Sequence, residues 1–293
     1  MIERPVNDFE VAFWGVRGSV PAPGPEMNRY GGNTSCVELR VGGELVILDA
    51  GTGIIGLGKQ LLAGEFGKGR GAARVFLSHA HWDHIQGFPF FAPIFIPGNQ
   101  FVVYGPGRSP TLLENILEGQ MNPHFSPLYT MKNLGAAIDV HGVEGEQAIH
   151  IGVGSQVKVT SCLNPHGATT ALAYRFESGG RSLVYASDAG YGVDGPSPEA
   201  RRLYANADVI IHDCTYSPED RAARLKRGFA STEDAAKVAI EAGCKRLVMF
   251  HYDQDYADDV VDALAERTRR FLDDNGGKAI ALEPAREGLR ITL

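Results

Sequence analysis

The segment Ser78-His79-Ala80-His81-Trp82-Asp83-His84 places three imidazoles and one carboxylate within the short stretch 79–84. Imidazole nitrogens and carboxylate oxygens are good ligands for transition metals. A single tetrahedral catalytic ion needs about three protein ligands, and this segment alone offers four. One histidine after a strand is usually an ordinary core or surface residue. Four such groups together instead predict two metal ions, with further ligands elsewhere in the chain.

The apolar run Val75-Phe76-Leu77 precedes this segment and predicts a buried strand. The four ligands are therefore expected on the loop beyond the strand end, where a rigid scaffold often holds a functional site. Other apolar runs also end in residues with ligand chemistry, and these are Asp49, His166, Asp188, Asp213 and His251. An aspartate at a strand end commonly caps a helix, so Asp49 and Asp213 alone favour a structural role. Their repetition predicts side chains that converge on one edge of a sheet.

The composition is that of a globular protein with a formal net charge of −7 over 293 residues. No apolar run has the length of a membrane span, and the first residues lack the apolar region of a signal peptide. The four cysteines form no CxxC pair, which is typical of free thiols in a reducing cytoplasm. We therefore expect a cytoplasmic protein with no membrane partner. The negative charge disfavours a nucleic-acid polymer as partner, whereas bound metals would supply positive charge for a small anionic substrate.

Strands alternate with helices along the chain, and no linker separates two compositions, which predicts one α+β domain over residues 1–293. The most periodic helix lies near the C-terminus, with Val260, Val261, Leu264 and Leu272 at helical spacing. Ser231 with Asp234 predicts a capping box at the start of another helix. The irregular segment at about 121–134 is expected to cap the site. The predicted strands are 10–14, 36–41, 44–49, 101–104, 137–143, 148–153, 156–163, 172–177, 182–187, 208–212, 247–250 and 288–293, and the predicted helices are 54–62, 111–118, 231–242 and the periodic one.

The candidate ligands occur in the order of the metallo-β-lactamase superfamily motifs, and the chain resembles that family from near Phe13 to about Asp262. The resemblance implies a four-layer αββα sandwich with a dinuclear site, holding two divalent ions (Zn or Mn), at one edge. It implies these roles: His79, His81 and His166 for one ion, Asp83, His84 and His251 for the second, Asp188 as a bridge, and Asp49 as a residue that orients the ligands. A hydroxide shared by the two ions would be the nucleophile.

Three further segments, 13–24 (FWGVRGSVPAPG), 29–39 (RYGGNTSCVEL) and 48–54 (LDAGTGI), resemble the phosphodiesterase-like branch of the superfamily. That branch includes RNase Z, bacterial cyclic-nucleotide phosphodiesterases and phage anti-Pycsar enzymes. The resemblance implies a homodimer, with the apolar region 88–97 as one contact, and a phosphodiesterase. RNase Z has a long arm for tRNA, and the loop 64–71 is too short for one. A cyclic nucleotide or a related small phosphodiester is therefore the expected substrate.

Two other functions remain open because the same site can serve them. A metal-activated hydroxide attacks carbonyl carbon as well as phosphorus, so a lactone, ester or thioester hydrolase is an alternative. A catalytically weak nucleotide-binding protein is another, because this chain has Ala230-Ser231-Thr232 where relatives commonly carry His-Ser-Thr. That histidine is placed to protonate the leaving oxygen, and a lost general acid typically costs about 10²–10⁴-fold in rate.

The replacement proton donor is sought among His212, Asp213, His124 and Tyr252. We expect Asp83, Asp188 and His212 to be catalytic, although His212 could equally be a structural residue behind a buried strand. The candidate substrate contacts are Asn33 and Thr34, through backbone N–H groups in a glycine-rich turn, together with Arg17 and Tyr252. An arginine can bind a phosphate or a structural carboxylate. Trp82 and the aromatic residues of 88–91 could stack a base or belong to the core and a subunit contact.

Overall fold

Two seven-stranded sheets form the centre of the computed structural model, which describes residues 9–124, 130–131 and 134–293. In spatial order, the first sheet contains β14 (Arg290–Thr292), β1 (Glu10–Gly15), β2 (Cys36–Val41), β3 (Glu44–Leu48), β4 (Ala72–Phe76), β5 (Gln100–Pro106) and β6 (Ala137–Val143). The second contains β13 (Ala281–Pro284), β12 (Arg246–Phe250), β11 (Val209–Asp213), β10 (Arg181–Ala186), β9 (Thr169–Ser178), β8 (Val157–His166) and β7 (Ala148–Ile151).

Seven α-helices accompany the two sheets in the described part of the chain. They are α1 (Gly53–Leu62), α2 (Trp82–Ile85), α3 (Pro110–Gly119), α4 (Pro198–Tyr204), α5 (Pro218–Ala223), α6 (Thr232–Ala242) and α7 (Asp258–Asp274). Helices α1 and α3 cover the outer face of the first sheet, whereas α6 and α7 pack on the second. The layers are therefore helix, sheet, sheet and helix, as the resemblance implied.

Strand β3 shows why the sheets stack this way. Its side chains alternate between two faces, and both faces are apolar, as expected for a strand covered on both sides. Val46 and Leu48 join the core between the sheets. Leu45 and Ile47 pack instead with the apolar residues of α1 and α3.

Because the strands run parallel, their polar C-terminal ends lie at one edge of each sheet. Strands β3 to β6 are parallel in the first sheet, and β10 to β13 are parallel in the second. The carboxyl ends of parallel strands lie on the same side of a sheet. Asp49, the 79–84 segment, Asp188 and His251 all follow such ends, so each sheet presents its candidate ligands at its own C-terminal edge.

The predicted capping box is confirmed, because the Ser231 hydroxyl accepts from the Asp234 N–H while the Asp234 carboxylate accepts from the Ser231 N–H. Two local predictions were wrong. Asp83 and His84 lie on the one-turn helix α2 rather than on a loop. His166 is the last residue of β8 rather than a loop residue, since β8 pairs with β9 as far as Thr169. Three elements were not predicted: α4, α5 and β13. All three are short, and β13 also ends in a proline, which is unusual within a sheet.

The expected cap falls partly outside the described residues, which omit 125–129 and 132–133. Within it, Met121 is buried and His124 is exposed. The apolar region 88–97 is largely core: Phe88 and Phe91 are buried in the layer beneath α1, and Phe90 is exposed. Among the described helices, none combines the length and apolar character needed to cross a membrane.

Candidate metal centre

Three histidines form the first group of candidate ligands. His79 and His81 follow β4, and His166 ends β8, so the two sheets both contribute. The Nε2 of His166 lies 3.1 Å from Nδ1 of His81. One nitrogen from each of the three rings lies within 4.8 Å of the others, which is the separation expected of ligands around one ion.

Asp83, His84 and His251 form the second group. Nε2 of His251 lies 3.1 Å from Nε2 of His84 and 3.2 Å from Oδ2 of Asp83. The same Asp83 oxygen lies 3.2 Å from Nε2 of His84 and accepts from the Ser19 N–H at 2.7 Å. His84 and His251 are fully buried, and two facing imidazole nitrogens at this distance need a shared proton or a cation between them.

Asp188 lies between the two groups. Its Oδ1 is 3.7 Å from Nε2 of His166, while its Oδ2 is 3.2 Å from Nε2 of His84 and 3.6 Å from Nε2 of His251. Within the described part of the chain, both Asp188 oxygens and the Nε2 of His79 are buried without a hydrogen-bond partner. Burying such groups unpaired is costly. The donor set therefore fits metal ions, with Asp188 facing both positions.

Asp49 orients His84 from behind. Its Oδ2 accepts a hydrogen bond from Nδ1 of His84 at 2.7 Å, which leaves Nε2 of that ring for the site. The hydroxyl of Tyr185 donates to the same oxygen at 2.7 Å, and the Ser78 N–H donates to Oδ1. Asp49 has a φ of 60°, in a region that non-glycine residues rarely adopt. Four hydrogen bonds, including one from the Ser78 hydroxyl, hold it there.

Two other histidines are oriented through their Nδ1 atoms. His166 donates to the carbonyl oxygen of Gly228 at 2.8 Å. Nδ1 of His251 lies 2.9 Å from the Thr215 hydroxyl, which in turn donates to Oδ1 of Asp213 at 2.7 Å. His251 also has a positive φ, 63°. These contacts direct Nε2 of both rings into the site, and the hydrogen bonds connect Asp213 to His251 through Thr215.

The electrostatics favour a neutral His79 and ionised carboxylates, whereas at His84 and His251 the neighbouring carboxylates outweigh burial and raise the pKa of the imidazole. Burial, reinforced by His84 and the other imidazoles, lowers the pKa of His79 well below its usual value. Burial alone would raise the pKa of Asp188, but His251, His84 and His79 outweigh it and hold the carboxyl ionised. A neutral imidazole and a carboxylate are the forms that bind a metal.

His212 was expected to be catalytic, and its surroundings in the structure favour the structural alternative. It is fully buried, with Nε2 2.9 Å from the hydroxyl of Tyr191 and Nδ1 donating to the carbonyl oxygen of Asp213. Burial lowers its pKa to about 4. A neutral ring with both nitrogens occupied has no proton to give to a substrate, which favours a structural role.

Arg17 and Tyr252 also make their side-chain hydrogen bonds within the protein. The buried Arg17 guanidinium donates to the carbonyl oxygens of Gly31, Asp253 and Tyr256 and lies 3.7 Å from Asp258. The buried Tyr252 hydroxyl donates to backbone carbonyls, with Met249 as the nearer partner at 2.9 Å. Both residues join loops to each other, which corrects the expectation that they contact a phosphate.

The glycine-rich turn uses its N–H groups internally as well. The Thr34 N–H donates to the Thr52 hydroxyl, and the Asn33 N–H donates to the Glu287 carboxylate. The Asn33 side-chain amide also donates to Glu287. These two residues were expected to bind substrate, but the structure shows them connecting the turn to α1 and to the C-terminal segment.

Phe229 contacts the centre but was not singled out from the sequence. Its ring centroid is 4.9 Å from that of His166 and 5.6 Å from that of His251, with the second pair stacked. The two histidines belong to different ligand groups, so one aromatic ring covers both. The only sequence signal is its position immediately before Ala230, and a single aromatic residue in a loop carries no periodicity.

Comparison with known proteins agrees with this geometry. A family model described as a beta-lactamase superfamily domain matches residues 45–252. Ribonuclease Z from Natronomonas pharaonis is 25% identical, over 94% of this chain and 96% of its own length. Because a ribonuclease is named for action on a polymer, such relatives partly conflict with the expectation that no nucleic-acid polymer is a partner.

Two solved structures share the fold along nearly the whole chain. The metallo-beta-lactamase fold protein YhfI from Bacillus subtilis has a TM-score of 0.72 at 18% identity, covering 98% of this chain and 100% of its own. The short form of human tRNase Z (ELAC1) has a TM-score of 0.68 at 20% identity, covering 96% and 98%. With the matched family domain spanning most of its length, this chain belongs to the beta-lactamase superfamily and has the metallo-β-lactamase fold.

Proposed function

We propose that this protein is a hydrolase that cleaves phosphodiester bonds with two divalent metal ions, Zn or Mn, as cofactors. One observation carries the proposal: the two buried oxygens of Asp188 face two different ligand groups and have no hydrogen-bond partner in the described structure. A lone metal would leave one of these oxygens uncompensated. The names of the relatives, ribonucleases Z, support phosphodiester chemistry.

In this proposal His79, His81 and His166 hold one ion, Asp83, His84 and His251 hold the other, and Asp188 contacts both. Two such ions would activate water and stabilise negative charge on phosphoryl oxygens. Asp49 and Thr215 fix the ring orientations of His84 and His251. Phe229 restricts the access of water on the side where it covers His166 and His251.

We favour a small substrate, such as a cyclic nucleotide, over a structured RNA. The segment 64–71 folds back as a short helical turn, with Phe66 buried against Phe101, so it offers no arm for a large RNA. The net charge of −7 also opposes binding to a polyanion. Cleavage of RNA is the second candidate because the relatives carry the name ribonuclease Z.

Three of the four candidate proton donors for the leaving group make hydrogen bonds within the protein. His212 and Tyr252 are bonded to buried partners, and Asp213 accepts from the N–H groups of Ala189 and Ala230. Burial raises the pKa of Asp213 to about 6, but its contacts point it at the backbone. His124, which is exposed, is the remaining candidate of the four. A substrate with a good leaving group would need no donor.

A turnover screen tests the proposal. Metal-loaded protein is assayed on bis-p-nitrophenyl phosphate, cyclic mononucleotides, cyclic dinucleotides and an unprocessed tRNA, alongside a lactone and a thioester. We expect diester hydrolysis that is lost in Asp188→Asn and kept in Asp208→Asn, whose carboxylate accepts from Ser182 at the opposite end of the sheet. Turnover of the lactone or thioester alone would refute the proposal, as would tight nucleotide binding without product. The expected homodimer is checked in the same preparations by light scattering.

A further inference from the structure

A short basic turn, residues 224–228, lies beside the first ligand group. Leu225–Arg227 form one helical turn that ends at Gly228, whose φ of 75° is accessible mainly to glycine. Lys226 and Arg227 are exposed. The proposed reaction above assigns no role to this turn.

Backbone contacts fix the basic turn against the end of β8. The Gly228 carbonyl oxygen accepts from His166 at 2.8 Å. A Cβ at Gly167 would lie 3.1 Å from the carbonyl oxygen of Arg227 and 3.3 Å from that of Lys226. A Cβ at Gly228 would lie 1.7 Å from the Gly167 nitrogen. Arg227 and Lys226 therefore lie one and two residues before Gly228, whose carbonyl oxygen is hydrogen-bonded to the candidate ligand His166.

Phe229, the residue after the turn, adds a second anchor at the same end. Its ring packs on His166 and on His251, so the chain passes directly over both ligand groups. Consecutive Cα atoms are about 3.8 Å apart, and the Arg227 and Lys226 side chains extend further from that backbone. Their charges can therefore reach a phosphate adjacent to one held at the metal centre, without any movement of the main chain.

The nearby arginines are ion-paired with carboxylates, whereas Arg227 has only a longer-range electrostatic interaction with Asp253 among the described residues. Arg221 is bonded to Asp234, and Arg224 lies 3.5 Å from Asp253 and stacks on Tyr216. In the described residues, no carboxylate lies within ion-pair distance of Lys226 or Arg227. Two unpaired, anchored cations next to a candidate phosphodiesterase site are well placed to bind an anion.

We propose that Lys226 and Arg227 bind a second phosphate of the substrate, next to the one that is cleaved. The inference rests on the proposed phosphodiesterase function and narrows its substrate class. Arginine binds phosphate through two parallel hydrogen bonds, and lysine adds a compact charge. The preferred substrates then carry at least two phosphates, as in a cyclic dinucleotide, a phosphorylated small diester or a short oligoribonucleotide.

The test compares the diribonucleotide ApA with pApA and ApAp, which add one terminal phosphate on either side. We expect the wild-type kcat/KM to be at least tenfold higher for one phosphorylated form than for ApA. Lys226→Gln/Arg227→Gln should lower that ratio at least fivefold. The matched control is Arg181→Gln/Lys278→Gln, which removes the same charge at the opposite end of the second sheet and should keep the ratio.

Binding without turnover separates this inference from the proposed function. Calorimetry of the metal-loaded protein with uncleavable, methylphosphonate-linked forms of ApA, pApA and ApAp measures the three affinities. For the preferred form, the slope of log affinity against log salt concentration should decrease in magnitude by about 0.7 in the double variant. Cleavage of all three at equal rates, with equal affinities, would overturn the inference and leave the function standing. Preferential, Lys226- and Arg227-dependent binding without any cleavage would instead refute the function. An oligoribonucleotide cleaved much faster than either dinucleotide would identify RNA as the source of the second phosphate.

Discussion

Oδ2 of Asp49 and Nδ1 of His84 are 2.7 Å apart in a fully buried contact that joins the end of β3 to α2. This hydrogen bond selects the ring nitrogen that His84 presents to the site. It also explains why Asp49 is held at a positive φ. The carboxylate must turn back towards α2 rather than continue along the strand.

Replacement of Asp49 by asparagine should weaken metal binding by about 10–100-fold, the usual effect of removing a group that orients a metal ligand. The amide keeps the size of the side chain but removes its charge beside His84. Competition with a chromogenic chelator measures the affinity. Asp208→Asn serves as the control and should bind metal normally, because Asp208 contacts Ser182 and Lys245 away from the site. Equal affinities in all three proteins would contradict the role of Asp49.

Removal of individual ligands should give different metal contents. His166→Ala should retain about one ion per chain, since His166 belongs only to the first group. Asp188→Ala should retain less, because its oxygens face both groups. Elemental analysis after gel filtration gives the count. Two ions retained in either variant would mean that the ligand groups are wrongly assigned.

Introduction of a histidine at position 230 should restore a proton donor. We expect Ala230→His to raise the rate on diesters with an alkoxide leaving group by tenfold or more, within the range of general acid catalysis. Rates on bis-p-nitrophenyl phosphate should change little, because p-nitrophenolate leaves without protonation. Ala230 is fully buried beside Asp213, so Ala230→Asn controls for repacking. An equal gain on both substrate types would argue against acid catalysis.

Protonation of His212 should make the fold less stable in acid. Its pKa is about 4 in the folded protein because of burial, compared with about 6.5 when unfolded. The resulting stability is present above pH 6.5 and is lost as the pH falls towards 4, by about 3 kcal/mol. His212→Gln should lack this loss. The difference in free energy of unfolding between the variant and wild type, measured with urea, should therefore become smaller by that amount between pH 7 and pH 4. His141→Gln, at an exposed histidine bonded to Asp139, is the control. A constant gap would show that another group dominates.

Much of the candidate metal centre could be predicted from sequence because most of the candidate ligands in this chain follow apolar strands. Strands β3, β4, β10 and β12 are apolar runs that end in Asp49, the 79–84 segment, Asp188 and His251. A strand fixes the direction of its last side chain, and parallel strands end at one edge. The ligand identities therefore followed from the motif order, and the structure brings all seven together.

Residues around the centre were harder to assign, because their roles depend on partners distant in the chain. Arg17 was predicted to contact a phosphate, but its guanidinium instead contacts Asp253, Tyr256 and Asp258. His212 was a candidate proton donor, but in the structure it is hydrogen-bonded to Tyr191. The residue type alone does not show whether a polar side chain is exposed or hydrogen-bonded within the protein, because that depends on its tertiary contacts.

The sequence by itself determined the fold family, through the resemblance in motif order, and the chemistry of the candidate metal ligands, since a dense ligand motif is a local property. The tertiary structure decided which polar residues remain free. It placed Phe229 over two ligand groups and Lys226 with Arg227 beside one of them, through glycines 167 and 228 that permit close backbone contact. Such contacts join segments about sixty residues apart, and no local pattern encodes them.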